Sequence, residues 1–467
     1  MYTNSTTWIF LLCKGGIVMS SLNLLKDNEK KIFFHYLIPS ICSTLVTSIY
    51  ILVDTLIIGQ GVGSEGISAL NIFLPFYSLY MGIGLMFGIG GGIIMSTEEG
   101  SGNIEKSKGY LITSGILVSI VAITLTIVSV LNLRKICFIL GANENSIDLV
   151  VEYGKYIVLA TPIFICTNFL GPIVRNRKDP NLCMVGVILG SVINIVLDYI
   201  FVFPMNMGMK GAALATVIGS LITSLILLSH FIKKKNRIKI SIKSLSFDMI
   251  KKIISCGSSS FLMEVASGFV IFIFNIQILK YIGDNGIVVY GIISNCILVG
   301  IALFNGVAQA SQPIIATNFG ADKNKRVSNV LRYAMYTTIL IGSMLFITVF
   351  LFTKEVILVF VKADDIIIDM GIPAIRMYLS AFCLMNINIL MCNYFQSVGK
   401  EKLSLSISII RGFLLNIVLV LLIPFIFGGE SLWIVVPITE IITFIGICMY
   451  LFNVTTKKEN IQSKLVS

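Results

Sequence analysis

The sequence predicts an all-α polytopic membrane protein: twelve transmembrane helices in two six-helix lobes related by an internal repeat. Three observations predict it. Of 467 residues, 56% are hydrophobic and only 13% charged, with a mean hydropathy of +0.93; a soluble domain carries about 25% charged residues. Apolar runs long enough to cross a bilayer, about 20 residues each, recur along the whole chain. The second half also restates the first. "GSEGI" at 63–67 matches "GDNGI" at 283–287, and the same offset of 220 pairs Ile94 with Ile314, Thr97 with Thr317 and Gly100 with Gly320.

Taken in order, residues 1–31 read as a cytoplasmic N-terminal segment. Its opening apolar stretch is too short for a span and lacks a small-residue cleavage site. Met19 begins a more ordinary entry, so residues 1–18 read as a mis-called start or a dispensable extension. The N-lobe, 32–232, holds spans near 32–58, 67–95, 109–131, 150–172, 182–204 and 209–231. A basic cytoplasmic linker, 233–250, follows with "KKKNRIKISIKSLS", and the next stretch, "FDMIKKII", is expected to lie along the membrane surface. The C-lobe, 251–453, holds spans near 253–281, 287–315, 329–352, 367–395, 403–427 and 431–452, before a cytoplasmic tail at 454–467.

An even number of spans puts both termini on one side. On that side lie 27 of the 35 Lys and Arg residues, which makes it the cytoplasmic side of a cell membrane. The net charge of +11 therefore reads as topology and contact with anionic lipid, not as nucleic-acid binding. Ten cysteines are scattered without a CxxC spacing and read as packing residues, with no structural metal and no cofactor implied. An enzyme is not expected. HExxH and GxSxG are both missing, and the two histidines, His35 and His230, lie near the ends of spans.

Repeated halves are typical of secondary transporters, in which one half rocks against the other. The chemistry of this chain sits unevenly between its halves. "NIVLDYIFVF" at 194–203 is echoed by "NIVLVLLIPF" at 416–425, but Asp198 in the first becomes Val420 in the second. A charge at mid-membrane costs about 2.5–3.5 kcal/mol on insertion scales and marks function by default. Four acids lie well inside the spans: Asp54, Asp198, Glu264 and Glu440. The helix rise puts Asp54 and Asp198 at similar depths, in the half of the bilayer away from the termini. Asn194 lies four residues before Asp198 on one helix face, and Thr216 enters the next span at a comparable level. Four oxygen-bearing side chains from three helices are expected to meet there.

By the repeat offsets, Asp54 falls on Phe274 or Asn275 and Thr216 on Val436. The second half is thus expected to keep the scaffold without the chemistry. Two close carboxylates in low dielectric cannot both stay ionised cheaply, so one takes a proton or a cation is recruited between them. The alternative is that Asn194 and Asp198 only cap and glue helices. Arg411, near the end of its span, is expected to snorkel to the surface, and Glu440 to reach water.

These residues resemble the multidrug and toxic compound extrusion (MATE) family, in its bacterial DinF/MepA-like branch. The resemblance covers residues 30–453 and rests on "PSICSTLVTSIYILVDTLIIGQGVG", "NIVLDYIFVFPMNMGMKGAALAT", "AQASQPIIATNFGADKNKRV" and "YFQSVGK". It implies a cation (H⁺ or Na⁺) coupling site at Asp54, Asn194, Asp198 and Thr216. Any metal ion there would be Na⁺ alone. It also implies bending of the first helix near Pro39, though an ordinary kink fits Pro39 equally. Glu264 resembles a seventh-helix acid of another branch, as a second proton site or the counter-ion of a cationic substrate; its repeat counterpart is Thr44. That other branch also uses an acid in the tenth helix, and none stands between Met377 and Val398.

The implied function is secondary active multidrug efflux by alternating access, with antiport of organic cations and amphipathic drugs against H⁺ or Na⁺. A lipid-linked oligosaccharide flippase of the same superfamily is the alternative. It would need cationic residues in its cavity, whereas the basic residues here lie almost entirely at the membrane edges. One chain holds both halves of the cavity, so a monomer in the lipid bilayer is expected.

Overall fold

The computed structural model describes residues 22–144, 146–232, 246–360 and 365–466. Among them there is no strand. Eleven helices are each long and apolar enough to cross a bilayer, and one bent pair supplies a twelfth crossing. In chain order spans 1 to 3 are Glu29–Gly61, Ser64–Gly100 and Ile104–Ile139. Span 4 is the bent pair Ile147–Leu159 and Thr161–Asn176, span 5 is Pro180–Val202 and span 6 is Gly208–Ile232. Spans 7 to 9 are Phe247–Tyr281, Asp284–Gly320 and Asn324–Leu351. Span 10 is Asp365–Ser397, span 11 is Glu401–Phe427, and span 12 is the helix Val435–Val466 after a 3-10 turn at Gly429–Ile434.

The twelve runs expected from sequence are these twelve spans. Helix is the natural outcome because a lipid-exposed backbone must satisfy its own hydrogen bonds. One expectation fails: "FDMIKKII" is not a separate surface helix, since Phe247–Tyr281 is continuous and these residues form its first turns. The expected extension at 1–18 and most of the basic linker, 233–245, lie outside the described residues.

Local chemistry sets the ends and bends. Asn28 caps span 1, its side-chain oxygen accepting from the backbone N–H groups of Lys30 at 3.0 Å and Lys31 at 3.3 Å. Asp179 caps span 5 by accepting from Leu182 N–H at 3.3 Å, and Pro180 at its first position loses no helical donor. Span 4 bends by 55°. Pro162 offers no N–H to the Val158 carbonyl, and the Thr161 hydroxyl donates to that carbonyl instead, at 2.7 Å. The turn into span 2 uses Gly63 at φ +93°, and the turn into span 8 uses Gly283 at φ +92°. These are the first glycines of the two copies of the pentapeptide, both in a conformation that strains a side chain.

The repeat extends to the outer surface. On span 3, Ile120, Ile127 and Leu131 are 56%, 55% and 76% exposed, and Leu340, Ile347 and Leu351 on span 9, each 220 residues later, are 61%, 54% and 64% exposed. Apolar side chains this open, at helical spacing, form a face for lipid.

Inside, two apolar cores correspond to the two halves, with a reciprocal exchange between them. Ile32, Phe33, Tyr36 and Leu37 at the start of span 1 pack into the second core, while Ile253 at the start of span 7 packs into the first. The halves meet along spans 1 and 8 and along spans 2 and 7. At the terminal side of the bundle this contact is backbone on backbone. A Cβ on Gly100 would lie 2.0 Å from the Thr317 carbonyl oxygen, and one on Gly320 would lie 1.9 Å from that of Thr97. Likewise a Cβ on Gly257 would lie 1.9 Å from the Met86 oxygen, and one on Gly90 would lie 2.3 Å from the Ile253 oxygen. Small residues allow this approach without a hydrophobic driving force.

A bulky side chain at Gly257 or Gly320 is therefore expected to wedge the halves apart at that end. In a background retaining only Cys256, which is 1% exposed, Gly320→Val should make maleimide labelling several-fold faster. Unchanged labelling in a folded variant would mean that these contacts do not seal that side.

Candidate cation site and central cavity

Close helix packing positions the first-half acids. A Cβ on Gly190 of span 5 would sit 1.9 Å from Thr223 Oγ1 and 2.6 Å from the Gly219 carbonyl oxygen on span 6. One on Gly219 would sit 2.7 Å from the Asn194 Cβ. A Cβ on Gly61 of span 1 would sit 2.1 Å from Val202 Cγ1, so spans 1 and 5 are also tightly apposed near their far ends.

Asp198 is 0% exposed, Asn194 3% and Thr216 9%. The Asp54 and Asp198 carboxyl groups lie within electrostatic reach of each other, and Asn194 stands beside Asp198. Asp54 Oδ1, both oxygens of Asp198 and both polar atoms of Asn194 are buried without a hydrogen-bond partner. So the structure brings together Asp54, Asn194 and Asp198. Thr216 stands on the adjoining span, and its hydroxyl donates to the Ala212 carbonyl at 3.0 Å. Each unsatisfied buried polar group costs about 1–3 kcal/mol. Several converging on one point form a set of oxygens suited to a proton or to a small hard cation.

Three tyrosines surround these acids and were not foreseen: Tyr50 of span 1, Tyr77 of span 2 and Tyr153 of span 4. Tyr50 falls four residues before Asp54, which was a readable signal. Tyr77 and Tyr153 come from helices that only the tertiary fold brings close.

A cavity of about 580 Å³ lies between the halves. Tyr50, Tyr77, Asn194 and Thr216 line it from the first half, while Asp54 and Asp198 sit behind that wall. Glu264 lines it from span 7, half-buried and without a hydrogen bond or ion pair from its carboxylate among the described residues. Pro39 is buried in span 1, whose helix runs through it unbroken. Around it, hydroxyls supply local bonds: Ser43 donates to the Pro39 carbonyl at 2.7 Å and Thr47 to the Ser43 carbonyl at 2.9 Å. Such back-bonding weakens a helix's hold on one geometry.

The second half departs from expectation. It is not a scaffold without chemistry, and Arg411 does not snorkel. Arg411 Nε donates to both carboxylate oxygens of Glu440 at 2.9 Å, and its Nη2 lies 2.8 Å from Oε1. The side chains are only 11% and 3% exposed. Asn388 of span 10 donates to Glu440 Oε2 at 2.7 Å and to its carbonyl at 2.9 Å. The physical reason is depth: ten residues into span 11 is about 15 Å along a helix, out of reach of the surface. A π turn at Ile410–Leu414 carries Arg411, and Asn416, the repeat partner of Asn194, donates to the Arg411 carbonyl at 2.7 Å. Both ends of the ion pair line the cavity, as does the buried Arg175 of span 4.

Breaking a buried ion pair strands a charge, whereas removing both partners does not. Arg411→Met alone should destabilise the purified protein by about 3–5 kcal/mol, read as a lowered thermal midpoint. Adding Glu440→Leu should recover most of that loss. Equal midpoints for the single and double variants would contradict the pairing.

Comparison with known proteins agrees with this architecture. The family model MatE matches twice, at residues 39–200 and 259–422, two stretches separated by the repeat offset and together covering more than half of the chain. The chain is 27% identical over 413 residues to a multidrug export protein MepA of Staphylococcus saprophyticus, covering 87% of this chain and 89% of that protein. It is also 27% identical over 387 residues to a MepA of Staphylococcus aureus strain N315, covering 82% and 84%. Among solved structures, an outward-facing multidrug resistance MATE transporter superimposes with a TM-score of 0.86 at 24% identity, over 95% of this chain and 99% of that one.

Proposed function

Because the chain belongs to the MatE family, we propose that it is a secondary active multidrug efflux transporter, expelling organic cations and other amphipathic drugs in exchange for H⁺ or Na⁺. The observation that carries this reading is the Asp54–Asp198 pair with Asn194, in which Asp54 Oδ1, both Asp198 oxygens and both Asn194 polar atoms are buried without a hydrogen-bond partner, beside a cavity between two repeated halves. The relatives named multidrug export proteins support the cargo class.

The mechanism follows from charge. Two carboxylates in low dielectric repel strongly, and a single proton or Na⁺ relieves the repulsion. Occupancy of that position therefore biases which arrangement of spans 1, 5 and 6 is stable, and a bias of this kind is what couples an ion to a conformational equilibrium. With the termini in the cytoplasm, the glycine contacts close the inner side, and the described state serves the outer side. Thr216 supports the cation from span 6 once its hydroxyl turns from the Ala212 carbonyl. Pro39 is the point at which span 1 bends. Glu264 holds the positive charge of the cargo, since its carboxylate has no ion pair among the described residues. Each chain works as a monomer in the cell membrane, and no enzymatic activity is proposed.

The flippase reading is weaker. A cavity for lipid-linked phosphates needs free cations; of its two lining arginines only Arg175 lacks a carboxylate partner among the described residues, since Arg411 is neutralised by Glu440, and Glu264 adds a negative charge to the lining.

Proteoliposomes test the proposal. Wild-type protein should move ethidium uphill when either a pH or a sodium gradient is imposed, and Asp198→Asn should abolish that movement. Normal efflux by the variant would remove Asp198 from the mechanism. Failure of the wild type on both gradients would contradict ion-coupled export.

A further inference from the structure

The ion pair in the second half leaves part of Arg411 uncommitted. A guanidinium has two edges that can each hold a carboxylate by parallel N–H bonds. Glu440 occupies the Nε–Nη2 edge, while Nη1 has no hydrogen bond among the described residues. Arg411 lines the cavity, and Nη1 is not among the fully buried atoms that lack a partner, so the open edge keeps access for a ligand. The pair is held firmly in place. Asn388 bonds Glu440 twice, the π turn carries Arg411, and Asn416 ties down that turn while accepting from the Thr439 hydroxyl at 3.3 Å. Across the cavity wall, span 7 lies against this turn, and a Cβ on Gly412 would be only 3.6 Å from the Ala266 Cβ. Ala266 is two residues beyond Glu264, whose carboxylate has no partner among the described residues.

We propose that the open edge of Arg411 is an anion subsite in the second-half wall of the cargo cavity, which admits cargo bearing a carboxylate beside its cationic group. The inference rests on the cavity being the cargo site. Glu440 has two roles in it. It cancels enough of the Arg411 charge that purely cationic cargo is not repelled, and it fixes the guanidinium plane so that the remaining edge faces the cavity. Glu264, on the neighbouring span, takes the positive end of the same molecule. A dipolar cargo is thus met by a dipolar wall.

The probe pair is rhodamine 6G, a cationic ethyl ester, and its free acid rhodamine 19, which differs only in carrying the carboxylate. Binding of each to the purified full-length protein is followed by fluorescence anisotropy. Wild type should bind both. In Arg411→Gln/Glu440→Gln, which strands no buried charge, the acid-to-ester affinity ratio should fall by about ten-fold or more, the weight of one or two charge-assisted hydrogen bonds. Arg411→Lys, which keeps the charge but lacks the planar fork, should lower the ratio by a smaller factor. If the double variant weakens both probes equally, the pair is only structural and the proposal is overturned. It is also overturned if wild type binds the ester but not the acid. If wild type binds neither probe, the cargo-cavity reading itself fails.

Discussion

Two carboxyl groups held side by side out of water cannot both carry a negative charge without a large cost in free energy, and in the proposed mechanism the first half of this protein is organised around that constraint. Asp54 and Asp198 come from different spans, with Gly61 of span 1 set against the Val202 side chain of span 5, and Gly190 of span 5 set against Gly219 of span 6. Their neighbours leave polar atoms unsatisfied. On the proposed account, an exchangeable proton or Na⁺ completes the set, so its arrival and departure alter the relative stability of two packings of the same helices.

The second half solves the same problem in the opposite way. Its buried acid, Glu440, is permanently neutralised by Arg411 and further held by Asn388. In the proposed mechanism, one half has a charge that can change and the other a charge that is fixed. Between them lies the cavity, and on the terminal side the halves meet through glycine contacts too close for any side chain. Contacts of this kind depend on shape and little on burial of apolar area, so in a bilayer they can separate and re-form with little change in hydrophobic energy.

Much of this was legible in the sequence. The spans follow from apolar runs, and the repeat from the paired glycine turns at Gly63 and Gly283. Asp54, Asn194 and Asp198 were readable because an acid inside a span has few ordinary explanations. Arg411 was misread, because its partner lies 29 residues away on another helix and a π turn is not visible in periodicity. The bend of span 4 is signalled in the sequence by Pro162. The short helix Thr353–Phe360 before span 10 had no signal strong enough to separate it from the neighbouring spans. The close approaches at Gly100, Gly257 and Gly320 are tertiary facts that one sequence does not contain.

The central claim is that Asp54 and Asp198 hold one exchangeable cation between them. It is tested most directly by counting the ions released when a cationic cargo binds. Ethidium binding to the purified protein would be measured calorimetrically in buffers of different ionisation enthalpy and, separately, after loading with radioactive sodium. The account predicts release of one proton or one sodium ion per ethidium bound, and none from Asp54→Asn/Asp198→Asn. Release of neither ion by the wild type, or the same release from the variant, would contradict it.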